Sequence, residues 1–107
     1  MEMANYILKI LRSELFVMFS WGFSNPIALA NEKGLKFKVN GFKHKGWVEV
    51  IYDEGMDLFI VNLLKRNGEI KKQVTEVYFD TLVNVIDNLV EKTDDYEEKI
   101  KKEYNLI

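Results

Sequence analysis

The sequence predicts an α+β domain: an N-terminal helix, an antiparallel meander of about five strands, and two C-terminal helices. Three observations predict it. Residues 35–78 alternate in hydropathy or run rich in β-branched and aromatic residues, and Asn40-Gly41, Glu54-Gly55 and Asn67-Gly68 interrupt them. Apolar residues at helical spacing stand before and after this stretch. The 107 residues, 48% of them hydrophobic, suffice to close one core, so residues 1–107 are expected to form a single domain.

Met3, Ile7, Ile10 and Leu11 share one face of a helix over residues 3–12, and Lys9 and Arg12 lie late in it, where cations complement the dipole. Residues 14–21 change texture. Leu15, Val17, Phe19 and Trp21 alternate with Phe16 and Met18, which predicts a strand buried on both faces. Pro26 lacks a ladder donor and biases Asn25 toward extended or turn backbone, so residues 24–34 are expected to be a loop. The next strand, residues 35–42, points Leu35, Phe37 and Val39 to one side and Lys36 and Lys38 to the other. Two turns compete after it, at Asn40-Gly41 and at Lys43-His44-Lys45-Gly46. The second is favoured, with Asn40-Gly41 a bulge, because it leaves residues 47–53 as a clean partner strand.

Residues 56–64 carry Leu58, Ile60 and Leu64 on one face and Phe59, Val61 and Leu63 on the other, the pattern of a central strand. A two-residue turn at Asn67-Gly68 would pair Leu58 with Val77 and Val61 with Val74. Phe79, Leu82, Val83, Ile86, Leu89 and Val90 then form the stripe of an amphipathic helix. Asp94, Asp95 and Glu97 lead and Lys99, Lys101 and Lys102 trail in a second terminal helix, anchored by Tyr96, Ile100, Tyr104 and Ile107. With two strands apolar on both sides, either helices cover both faces of the sheet or a second copy of the chain covers one.

Composition narrows function by exclusion. The chain has no cysteine, which rules out disulfides, thiolate metal sites and cysteine nucleophiles. Its apolar runs fall far short of the ~18 residues that span a bilayer. An acidic residue, Glu2, stands where a secretory signal would carry positive charge, so a cytoplasmic location and no membrane are expected. Residues 1–75 hold eleven basic and eight acidic groups, residues 76–107 four and nine; the formal net charge is −2. No phosphate-binding glycine loop, nucleophile elbow or dinucleotide fingerprint occurs.

The one histidine, His44, lies between Lys43 and Lys45, which disfavour its protonation, and no neighbour supplies a nucleophile or orienting carboxylate. An exposed turn residue is the expected role. The acidic cluster Asp53-Glu54-Gly55-Met56-Asp57 lacks the twelve-residue calcium loop, so neither metal nor cofactor is expected. Two segments invite a sharper reading. Residues 36–47 interleave Lys36, Lys38, Lys43, His44 and Lys45 with Phe37, Phe42 and Trp47, the mixture that binds single-stranded nucleic acid through stacking and backbone charge. Strand alternation opposes this at Phe37, which must face away from Lys36 and Lys38. Trp21 and Phe23 form an aromatic loop that either anchors a partner or plugs the end of the sheet.

The expected function is therefore a non-enzymatic domain acting by contact with a protein partner or a second copy of itself, through Trp21, Phe23, Phe42 and Trp47. Nucleic-acid binding through Lys36, Lys38, Lys43, His44 and Lys45 is the alternative. A ligand-binding protein or enzyme comes third, and would need a pocket gathering His44, Tyr52 or Tyr78 with an acidic group.

Overall fold

The computed structural model describes residues 2–91. Helix α1 (Glu2–Arg12) is followed by α2 (Leu15–Ser20), then by strands β1 (Ser24–Ala28), β2 (Gly34–Asn40), β3 (Lys45–Asp53), β4 (Leu58–Leu64) and β5 (Ile70–Val77), and by α3 (Leu82–Val90). The strands form one antiparallel sheet in the order β1-β2-β3-β4-β5, so every neighbour in space is a neighbour in sequence. The α+β meander is thus present. The second expected C-terminal helix, at residues 94–107, lies outside the described residues.

The first strand is not where periodicity placed it. Residues 15–20 are helical, with Met18 N–H bonded to Glu14 O at 2.9 Å, and Gly22, at φ +66°, ends the turn by donating to Phe19 O. A short apolar run does not distinguish strand from helix, and only Val17 among these residues is β-branched. The segment expected to be a loop instead supplies β1 and a single 3₁₀ turn, Ala30–Glu32. Pro26 is tolerated because β1 is an edge strand and its register with β2 shifts between Ser24 and Ile27, a bulge that leaves proline without a ladder bond to make.

The register of β2 with β3 runs unbroken from Gly34–Ile51 to Asn40–Lys45. Gly41 N–H then donates to His44 O at 3.0 Å, so Phe42 and Lys43 alone form the tip. Neither expected turn is used; there is no bulge at Asn40-Gly41, and the reversal lies midway between the two signals. In the β4–β5 hairpin, Val61 faces Val74 as expected, but Val77 faces Phe59 and not Leu58. An irregularity in β5, with Glu76 at φ +57°, inserts the extra residue. Lys65 N–H donates to Glu69 O and Gly68 N–H to Lys65 O, which makes the turn a three-residue one.

One face of the sheet receives all the described helices. Leu35, Phe37, Val39, Val48, Val50, Phe59, Val61, Leu63 and Val77 form a single buried cluster with Ala4, Ile7 and Leu11 of α1, Met18 of α2, and Leu82, Ile86 and Val90 of α3. Each of these side chains larger than alanine stabilises the fold by about 1.5–3 kcal/mol through removal from water. Phe79, expected in the α3 stripe, precedes the helix and is 61% exposed. We call this helix-covered side the inner face and the opposite side the outer face.

Candidate functional site

Strand alternation decides what the outer face carries. Because Phe37, Val48, Val50 and Val61 point inward, Lys36, Lys38, Trp47, Glu49, Ile51, Ile60, Asn62 and Leu64 point outward. Contacts fix the assignment independently. Gln73 Nε2 donates to Asn62 Oδ1 at 2.8 Å, and Asn62 Nδ2 donates to Glu49 Oε1 at 3.3 Å, a polar row across three strands. Lys36 Nζ sits 5.0 Å from the centroid of the Trp47 ring, a cation–π contact on the same side.

The register orders this face into rows. Lys38, Trp47, Leu64 and Ile70 lie across the sheet on one side of the polar row, and Gly34, Ile51 and Ile60 on the other. Trp47, Ile51 and Ile60 are half-buried, Ile70 is exposed, and Leu64 is buried. Charge is sorted along the strands. Lys45 and Lys38 stand at the end nearest the β2–β3 turn, whereas Asp53 ends β3 and Glu54 begins the turn at the far end. Ile51, Ile60, Asp53, Glu54, Asn31 and Lys33 line a surface hollow at that acidic end.

The residues expected to act together are separated. Trp21 is fully buried; its indole Nε1 donates to Asp87 Oδ1 of α3 at 3.0 Å, and its ring stacks on Phe37 at 6.4 Å between centroids. Phe23 is half-buried, 4.8 Å from the Phe37 ring. Both plug the sheet end, and Trp21 offers no surface. Phe42 is 76% exposed at the turn tip, away from Trp47. Lys36, Lys38 and Lys45 do share the outer face with Trp47.

Lys43 and His44 are occupied by the fold. Lys43 N–H donates to Val90 O at 2.8 Å and Lys43 Nζ to Asn88 O, so the β2–β3 tip caps the last turn of α3 with a cation, where the dipole favours one. Phe42 N–H adds a bond to Glu91 Oε2 at 3.1 Å. His44 is a correction to its expected exposure: 2% of its surface is accessible. Nε2 faces Trp47 O at 3.1 Å and so carries the ring proton, while Nδ1 has no partner among the described residues. Burial pushes the imidazole below its ordinary pKa; the bond to Trp47 O works against this, and the Lys71 ammonium works with it.

Among the described residues no constellation for chemistry assembles. His44 lies at the β2–β3 end of the sheet, and Tyr52 with Asp57 at the other. Tyr52 donates its hydroxyl to Asp57, which pushes the phenol above its ordinary value. Asp53 Oδ1 accepts from Gly55 N–H at 3.1 Å and Met56 N–H at 3.4 Å, so the acidic cluster serves its own turn. Among the described residues no group of three metal-type ligands converges and no helix is long and apolar enough to cross a membrane.

One apolar patch escaped the sequence reading. Phe16 and Phe19 of α2 are 88% and 60% exposed, because the helix turns Met18 inward and leaves them out. Their spacing of three was the available signal, and the strand assignment hid it. Compared with protein-family models, curated proteins and solved structures, the chain shows no match.

Proposed function

We propose that this chain is a protein-contact domain whose contact surface is the outer face of its sheet. The observation that carries this reading is the asymmetry of the sheet. The described helices send their buried side chains to one face, while the other keeps Trp47, Ile51 and Ile60 half-buried and Ile70 exposed. A tryptophan and three isoleucines on a face whose ends carry opposite charge have the anatomy of an interface core and its rim.

Hydroxyl-radical footprinting of the dilute full-length chain tests this directly. Trp47 is expected to oxidise much faster than Trp21, the internal standard for a fully buried indole. Equal protection of both tryptophans at every dilution would mean that the face is closed within one chain, and would reject the proposal.

A second reading has one specific observation in its favour: Lys36, Lys38 and Lys45 share a face with Trp47, as a single-strand platform requires. It ranks lower because Lys36 already lies over the Trp47 ring, Lys43 is bonded to α3, His44 is buried, and Asp53 and Glu54 stand on the same face. Phosphates would meet both signs of charge there.

A further inference from the structure

Resting on the contact surface just proposed, we infer that its partner is a second copy of this chain, stacked face to face with strands antiparallel across a two-fold axis. The outer face complements itself in three respects, all centred on one row. Glu49 lies midway along β3, four residues from Lys45 at one end and from Asp53 at the other. Trp47 and Ile51 lie two residues to either side of it, and on β4 Leu64 and Ile60 lie two residues to either side of Asn62. Turning a copy about an axis along the Glu49–Asn62–Gln73 row therefore exchanges the two apolar rows and the two charged ends.

In that arrangement Trp47 of each protomer lies over Ile51 and Ile60 of the other, at the hollow that these residues line. Lys45 meets Asp53 and Glu54, and Lys38 lies over Gly34 of the other copy, one row inside that rim. The charged ends of β3 are roughly 26 Å apart at the usual strand rise, so they form two separate rim contacts flanking the two apolar rows. Lys36 and Glu49 both lie in the axis row, where each meets its own copy, and their direct pairing within one sheet offsets the like charges. The axis along the strands is disfavoured, because it would also set Lys45 on Lys45 at one end of β3 and Asp53 on Asp53 at the other. Sheets packed face to face keep their strands within about 30° of one another, which the antiparallel stack allows.

Sedimentation equilibrium of the full-length chain, across protein concentration and salt, tests the inference with two variants. Lys38→Glu/Lys45→Glu reverses the basic end. Asp53→Asn/Glu54→Lys reverses the acidic end while keeping an oxygen at position 53 for the Gly55 and Met56 N–H groups. The wild type is expected to dimerise and to weaken with added salt. Each variant alone should weaken dimerisation about tenfold or more, and an equimolar mixture should restore it by forming a heterodimer. Dimerisation that neither variant nor salt alters would overturn the antiparallel arrangement while leaving the contact surface intact. A strictly monomeric wild type, including one that instead binds a single-stranded oligonucleotide at low salt, would overturn the second copy as partner.

Discussion

His44 condenses the difference between composition and environment. Flanked by two lysines, it reads as a surface residue, yet its ring is buried with one nitrogen satisfied by Trp47 O and the other unpartnered among the described residues. Adding a proton at Nδ1 would place a second donor where no acceptor waits among the described residues, near Lys71. The consequence has a definite sign. Its folded pKa lies below the unfolded value of about 6.5, so the unfolded chain takes up the proton first. Stability is fully present above pH 6.5 and is lost as pH falls through the lowered folded value. Chemical denaturation at stepped pH should show this loss, and His44→Gln should flatten it. An unchanged slope in the variant would assign the pH dependence to the carboxylates.

At the scale of elements, the decisive contact is the seat of the β2–β3 tip on the end of α3. Lys43 supplies two donors to α3 carbonyls and Phe42 N–H a third, to Glu91. Gly41 permits the approach, because a Cβ there would lie 2.3 Å from Val90 O and 2.6 Å from a Val90 methyl. Gly41→Ala should therefore destabilise the chain by about 1–3 kcal/mol through overpacking against backbone that cannot yield. Urea unfolding would measure it. A loss below a few tenths of a kcal/mol would show that tip and helix separate readily. The same packing explains why the reversal falls at Phe42 and Lys43: the turn is chosen by what it must cap, and local dipeptide preference yields to that.

For the whole molecule, the sheet is the organising object, and its two faces differ in kind. The inner face is closed by the three described helices, and the outer face is sorted into apolar rows and two charged ends. If two copies meet there, folding and association are linked, since only the native sheet presents the rows in register. The thermal midpoint should then rise with protein concentration in the wild type and stay constant in Ile60→Lys, which sets a charge in the centre of the contact. Differential scanning calorimetry over a hundredfold range of concentration, about 2.7 kcal/mol of mass action, would resolve this. Equal behaviour of the two proteins would remove Ile60 from the contact.

The residues by themselves determined the alternation of β2, the β-branched and aromatic richness of β3 and β4, the amphipathic stripes of α1 and α3, and hence the α+β meander, because periods of 2 and 3.6 are properties of backbone geometry. They also determined that Phe37 faces inward and Lys36 and Lys38 outward. Tertiary structure alone decided that residues 15–20 coil, that Pro26 rides an edge strand, that Trp21 is sealed by Asp87, and that Trp47 joins the lysines. The reason is range. Periodicity records which face of an element is apolar, whereas burial of a turn, placement of an edge and the company a side chain keeps depend on partners dozens of residues away.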